Sequence, residues 1–413
     1  MLLSIFTPTS DLTFLEETYD SIRAQGYATE WEWVIVPNGP TLAATLPPRI
    51  TADANVRVVP YAEMPAPEQS LKIGELKRFA CDNCRGDVFV ELDHDDLLVP
   101  GVLAEIAAKV AAGAGFVYSD DAQFRRENGT VTSHVYHSDY GWESYPFEAH
   151  GMQLKALRAF PATARSLCQI HFAPDHIRAW TRDAYYEAGG HDVSMLIGDD
   201  HDLVIRTYLA GVPFAHTGTC GYLYRNHPAQ NYLKHNAAIQ SQSATNCRKY
   251  LLPLIKEWCC RSKLPTFTIE NRDNDKLLKE IPGMQHDSVG HIRMVNCLHH
   301  TPQDMLRFFM EHVYRVLVPG GWFTSLTPST RGPGAFVPTA QSYWNPHSFR
   351  FLTEDHYWKE WGKPHLSFQS VVTQDCYPAQ NYADHGLWHV SADLCAMKGQ
   401  LHHPGRVYLR PPE

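Results

Sequence analysis

The sequence predicts an α/β protein: a mostly parallel sheet covered by helices, followed by a smaller C-terminal α/β domain. Three observations carry this expectation. Strand-like and helix-like segments alternate through the first 120 residues, polar segments fall just after the strand-like ones, and a fresh strand–helix–strand pattern starts beyond a polar break near residue 264. Alternation of this kind specifies parallel strands, since a parallel pair needs a long crossover that a helix supplies.

In chain order, apolar runs at 2–6, 33–36, 56–59, 88–92 and 115–118 read as buried strands. Helical patterns lie between them at 11–25, 71–84 and 101–112. Asp11 stands where an N-cap belongs, and Glu16 and Glu17 fall in the first turns that follow. Open sheets of this class bind ligands beyond the carboxyl ends of their strands. The polar segments 7–10, 38–39 and 93–96 all follow predicted strands and are expected to converge in one cleft. A long helix at 232–258 runs into the polar stretch Cys259-Cys260-Arg261-Ser262-Lys263, and then the pattern at 291–297, 303–317 and 322–326 begins. The expected organisation is therefore a first domain over 1–235, a helical linker over 236–263 and a second domain over 264–413.

A chain of 413 residues is long enough for two or three domains. With 44% hydrophobic and 20% charged residues it lies well away from the composition of disordered chains. Its net charge of -9, spread without a basic run, argues against stable nucleic-acid binding as the main role. The start, Met1 to Phe6 followed at once by Thr7-Pro8-Thr9-Ser10, reads as a first buried strand rather than a secretory leader. No window reaches the roughly 18 apolar residues that span a bilayer. The ten unevenly spaced cysteines do not form a disulfide framework, and Cys81-Asp82-Asn83-Cys84 has no second pair to complete a zinc site. A soluble, cytoplasmic protein without membrane insertion is expected.

The sharpest local motif is Glu91-Leu92-Asp93-His94-Asp95-Asp96, a cluster of carboxylates at the end of an apolar strand. Crowded carboxylates repel unless a cation neutralises them. Oxygen ligands of this kind suit Mg2+ or Mn2+, and such an ion bridging two phosphates would stabilise a departing nucleoside diphosphate. The alternative is a solvated acidic turn capping the helix that starts near Val99.

Taken in order, Ser4-Ile5-Phe6-Thr7-Pro8-Thr9, the segment 14–22, Trp31-Glu32-Trp33-Val34-Ile35-Val36-Pro37-Asn38-Gly39 and the 93–96 cluster resemble the donor-binding half of glycosyltransferase family 2. Gly189-Gly190-His191-Asp192, Gly198-Asp199-Asp200-His201-Asp202, Gly211 and Tyr224-Arg225-Asn226-His227 are similar to the later signature of that family, in the same order and spacing. The resemblance spans about 2–235. It implies a GT-A (Rossmann-like) fold and a metal-dependent, inverting transfer from a nucleotide-sugar donor, a UDP-sugar being favoured. On this resemblance Thr7, Pro8 and Thr9 line the nucleotide pocket, Asp93 lies near the ribose, and Asp95 or Asp96 holds the metal, with Asp93 and His227 as further contacts. Asn38 stands where the family usually has an Asp that reads the base, which leaves the base open. Lys77 and Arg78 occupy the place of a basic residue that meets the diphosphate. Asp200 corresponds to the general base and Asp199 stands where a Glu is commoner; one of the two is also expected to cap the helix running through 203–210.

The run from Met310 through Val318-Pro319-Gly320-Gly321-Trp322-Phe323 to Thr327-Pro328 resembles the later half of class I methyltransferases, over about 285–375. No strand followed by a glycine-rich turn precedes it in this part, so the loop that would hold the methyl donor is missing. The expectation is a donor-less remnant used for packing, homo-oligomerisation or acceptor binding. Two other readings stand beside a glycosyltransferase: a catalytically silent sugar- or partner-binding protein, and an active methyltransferase. The acceptor is left open among a glycan, a protein and a modified DNA base.

Overall fold

The computed structural model of the chain describes residues 1–26, 30–62, 64, 72–135, 142–169, 174–270, 280–354, 357 and 366–398. Leu71, at the edge of the expected second helix, lies outside them. The chain forms two compact units, Met1–Tyr250 and Leu251–Glu413. The division falls within the helix Asn231–Arg261.

In the first unit, β1 (Leu3–Thr9) is the centre from which the site is built. All seven of its residues are buried, because it pairs in parallel with β2 (Trp31–Pro37) on one side and β4 (Val88–Glu91) on the other. A strand covered on both faces needs a continuous apolar run rather than an alternating one. β3 (Val56–Val58) completes the parallel set β3-β2-β1-β4. The helices Leu15–Arg23 and Ile73–Asp82 lie in the connections. The first of these starts at Leu15, not at Asp11: the Asp11 carboxylate instead accepts from the backbone N–H and the hydroxyl of Thr13, closing a turn ahead of the helix.

Beyond β4 the mostly parallel sheet takes in antiparallel strands. β10 (Arg178–Thr181) runs antiparallel between β4 and β6 (Phe116–Glu127), and β11 (Phe214–Arg225) is parallel to β6. The short β5 (Leu97–Leu98) pairs antiparallel with β11, which pins the turn after β4 against the end of β11. Three further strands, β7 (Thr130–His134), β8 (Ser144–Ala149) and β9 (Met152–Leu157), add antiparallel pairs around β6. The result is a Rossmann-like α/β sheet, and its core gathers Leu3, Ile5, Trp33, Val90, Ile106 and Val117.

The second unit holds a separate sheet in the order β12 (Thr266–Glu270), β13 (Val289–Val295), β14 (Leu317–Pro328), β16 (His389–Ala396) and β15 (Phe368–Cys376). The first three strands are parallel, and β16 and β15 are antiparallel additions. Helix Leu306–Val316 buries Leu306, Phe309, Met310, Val313 and Val316, the spacing of one helical face, in the same core as Ile292, Met294 and Phe323. The expected strand–helix–strand pattern is present. The strand β12 ahead of it was not anticipated, although the chain has no glycine between Glu270 and Gly283. No helix among the described residues is long and apolar enough to cross a membrane.

Candidate active site

The parallel strands end in a cluster of charged side chains. Glu91, the last residue of β4, has no exposure, and its carboxylate sits 2.5 Å from Lys77 Nζ and 3.4 Å from the Arg178 guanidinium. Burial alone would raise its pKa. Lys77 and Arg178 outweigh that and bring it down to about 2. Lys77 reaches inward from the helix Ile73–Asp82, while Arg178 opens β10 and is fixed by its backbone pairing opposite Tyr118 of β6.

Arg178 makes further contacts. One guanidinium nitrogen donates to Asp200 Oδ2 at 2.8 Å, and the other lies 3.4 Å from His176 Nε2 and 3.5 Å from Asp175 Oδ1. Burial, with the Arg178 charge beside it, pushes His176 down to about 3, so the imidazole is neutral at physiological pH. Lys77, Glu91, Arg178 and Asp200 thus form a chain of alternating charge that ends at a cavity.

Asp199 and Asp200 open the helix Asp199–Leu209. Neither caps it. The N-cap is Gly198, whose φ of 69° is the left-handed backbone that favours glycine, and no side-chain cap forms there. The sharp entry sends the two neighbours to different environments. Asp200 is partly exposed, with Oδ1 accepting from the His201 backbone N–H at 2.8 Å and Oδ2 held by Arg178. Burial would raise its pKa, but the charges of Arg178 and Lys77 hold it well below the usual carboxylate range. Asp199 is buried. Its Oδ2 has no hydrogen-bond partner among the described residues, and it lies 3.8 Å from His191 Nε2, which has none either. Burial pushes Asp199 up to about 7, with Asp200 and Glu91 adding to the rise against the pull of Lys77.

The turn after β4 splits its three aspartates. Asp96 is buried and used by the fold: Tyr222 Oη donates to one oxygen at 2.8 Å and the Arg225 backbone N–H to the other at 2.7 Å. Asp95 hydrogen-bonds His227 Nε2 at 2.8 Å, and that bond, with the nearby His94, keeps its carboxyl low despite burial. Asp93 faces the cavity 3.9 Å from His176 and is raised to about 6, chiefly by desolvation, with Glu91 and Asp95 adding. Among the described residues no three His, Cys, Asp or Glu side chains converge as a preformed metal site.

The cavity has a volume of about 220 Å3 and is lined by Lys77, Asp93, His176, Arg178, Asp199 and Asp200, with Tyr224, Tyr232 and Ile239 among its other walls. Of the residues expected from sequence, Lys77, Asp93, Asp199 and Asp200 therefore meet around one space. Asp95 and Asp96 sit on the adjoining turn, and His227, just past the end of β11, bonds Asp95. Thr7 frames the strand ends, its hydroxyl donating to Leu92 O and accepting from Trp33 Nε1, while Pro8 pairs in register with Val36. Thr9 Oγ1 donates to Asp11 O. The Asn38 carboxamide exchanges two hydrogen bonds with the Met64 backbone, each 3.0 Å long. Arg78 turns away from its neighbour Lys77, pairing with Asp82 and donating to Gly189 O, and it does not line the cavity. Arg178, His176 and Asp175 were not expected. The one available signal was an Arg embedded in the apolar run Ile177-Arg178-Ala179-Trp180.

No protein-family model matches the chain, and no curated protein does. Among solved structures, S. aureus TarS residues 1–349 align at 14% identity over 63% of this chain and 72% of that one, with a TM-score of 0.43. The same fragment with UDP-GlcNAc aligns at 15% identity over 60% and 66%, with a TM-score of 0.43. With UDP the values are 16%, 60% and 65%, and 0.41. Likeness at this level carries no argument about activity, which rests on the geometry.

The Asp199 environment makes a stability prediction. A carboxyl raised on folding opposes folding progressively as pH rises from its ordinary value, about 3.9, to its folded value of about 7, and by a constant amount above that. Asp199→Asn removes the opposition, so the variant should gain stability over the parent between those pH values and keep a level advantage beyond. Urea denaturation across pH measures it; an advantage that does not grow with pH would place the Asp199 proton elsewhere.

Proposed function

We propose that this chain is a glycosyltransferase that takes a nucleoside-diphosphate sugar, UDP-linked by preference, and transfers the sugar with inversion to a hydroxyl of an acceptor. The observation that carries the reading is the juxtaposition of Asp93 and Asp200 around one cavity, the first from the turn after β4 and the second from a helix start. One acidic group lies where the donor is expected and the other where an acceptor would enter.

In this reading an acceptor hydroxyl approaches Asp200. Its oxygen forms the new bond to the anomeric carbon as the bond to the diphosphate oxygen breaks, the bonding pair leaves with the diphosphate, and the hydroxyl proton passes to Asp200. Attack opposite the leaving group inverts the anomeric centre. Lys77 contributes a buried positive charge beside the donor's negative one. Asp199, buried behind Asp200, belongs to the wall rather than to the acceptor's path. Asp96 is engaged by Tyr222 and Arg225, so the residues that fit a divalent ion are Asp93 and Asp95, with His227 holding Asp95. Mg2+ commonly binds through one or two carboxylates together with substrate phosphates, and Mn2+ takes the same oxygen ligands. Such an ion would neutralise charge on the departing diphosphate. The acceptor remains open among a glycan, a protein and a modified DNA base.

We read residues 1–235 as the transferase domain, 236–263 as a helical linker and 264–413 as a methyltransferase-like domain without its donor loop. The absence of glycine between β12 and Gly283 supports this last reading, since a backbone that approaches a cofactor closely needs glycine there.

Two outcomes test the proposal. Asp200→Asn should leave UDP affinity in the presence of Mn2+ nearly unchanged and lower sugar transfer, or donor hydrolysis, by about 100-fold, the scale of a lost general base. A variant working at the parent rate would remove Asp200 from the chemistry, and a collapse of UDP binding would assign it to the donor site. Calorimetry with S-adenosylmethionine should show no heat of binding at millimolar ligand, and stoichiometric binding would overturn the donor-less reading of the second domain.

A further inference from the structure

We propose that Arg178 is a positioning residue that fixes the Asp200 carboxylate toward the cavity and ties it, through Glu91 and Lys77, to the strand end that carries Asp93. The inference rests on the glycosyltransferase reading for its catalytic consequence but on geometry for its substance. Asp200 projects from the first turn of a helix, a place where a short side chain has several open rotamers. Two contacts remove that freedom: Oδ1 accepts from the His201 backbone N–H at 2.8 Å and Oδ2 from the Arg178 guanidinium at 2.8 Å.

Arg178 can act as an anchor because it is itself held. It is buried, its backbone pairs with Tyr118 of β6 at the start of a strand that lies between β4 and β6, and the nitrogen that reaches Asp200 also reaches both Glu91 oxygens at 3.4 Å. Glu91 in turn is held by Lys77 at 2.5 Å. The helix start bearing Asp200 and the strand end leading to Asp93 come from sequence positions more than a hundred residues apart. A planar guanidinium with several fixed donors can address two carboxylates at once, which a lysine ammonium on a flexible stem does less well. The charged and titratable groups facing Asp200 are Arg178 from β10, Lys77 from its helix, and Asp175, His176, His191, Asp199 and His201. Among these Arg178 is the one with a direct ion pair to Asp200.

The test compares the full-length parent with Arg178→Gln, Arg178→Lys and the double variant Glu91→Gln/Arg178→Gln. The double variant removes both buried charges and so protects against a Gln variant that fails to fold around an unbalanced Glu91. Crystal structures report the Asp200 side chain directly. In the parent it points into the cavity as described; in Arg178→Gln and the double variant it should turn away, and in Arg178→Lys it should return in part. Calorimetry with UDP and Mn2+, and hydrolysis of UDP-sugars as a function of pH, report the consequence. Donor affinity should stay within about threefold while kcat falls by about 10- to 100-fold, the scale expected of a misplaced group. The acid limb of the pH profile should move to higher pH, because a carboxylate that loses its cationic partner protonates more readily. Partial rescue of kcat by Arg178→Lys supports positioning over general damage. An Asp200 that keeps its place in both Gln variants overturns the proposal, as does an unchanged kcat and pH profile. If the parent neither binds UDP nor hydrolyses any UDP-sugar, the glycosyltransferase reading falls, and the crystal structures still decide whether Arg178 positions Asp200.

Discussion

Glu91 is a carboxylate without exposure at the end of the strand next to the central one, and it can remain charged only because Lys77 and Arg178 flank it. Removing one partner from a buried ion pair typically costs about 3–5 kcal/mol, because the other charge is left uncompensated. An apolar residue at 91 would satisfy the sheet with less difficulty. The charged arrangement has a different consequence: it fixes two basic side chains at the carboxyl edge of the sheet, and one of them reaches Asp200. The acidic and basic walls of the cavity are therefore one connected network rather than a set of independent residues.

The same constraint separates two adjacent aspartates. Asp200 lies against Arg178 and stays ionised, whereas Asp199, one residue earlier, points into the protein beside His191 and is pushed up to about 7 by burial. The left-handed backbone at Gly198 turns the chain sharply into the helix, and of the two aspartates that follow Asp199 is buried and Asp200 partly exposed. A comparable division occurs in the turn after β4. Asp96 satisfies Tyr222 and the Arg225 backbone, Asp95 pairs with His227, and Asp93 is left facing the cavity. In both places identical side chains acquire different chemical characters from the elements behind them, because burial and neighbouring charge move their protonation in opposite directions.

Much of this was legible before the structure. The apolar runs at 2–6, 33–36 and 88–92 correspond to β1, β2 and β4, and the long helix expected at 232–258 corresponds to Asn231–Arg261, which non-helical backbone at His235 divides in two. The acidic cluster at 93–96 was visible because carboxylates stand out at the end of an apolar strand, and the one at 199–202, which opens a helix, through the family resemblance. β10 was not visible: four residues, Arg-Ala-Trp-Thr, carry too little periodicity to announce a strand or its antiparallel direction. That omission concealed Arg178, because its apolar neighbours Ile177, Ala179 and Trp180 are a weak signal for a buried cation when the strand they belong to is not recognised. The inward turn of Lys77 and the outward turn of Arg78 were likewise hidden, since adjacent helical residues point about 100° apart and only the packing reveals which one faces the site. Asn38 illustrates a further limit. Its amide can pair with a base edge on chemical grounds, yet the fold engages it with the Met64 backbone.

The most direct measurement is a donor screen in which the protein is incubated with a panel of UDP- and GDP-sugars, with Mn2+ and with a chelator, and released nucleoside diphosphate is followed by mass spectrometry. Release of UDP from at least one UDP-sugar, with Mn2+ present and not with chelator, is the expected result. A protein that releases no nucleoside diphosphate from any donor, and whose thermal stability is unchanged by UDP with Mn2+, would contradict the assignment of this cavity to a nucleotide sugar.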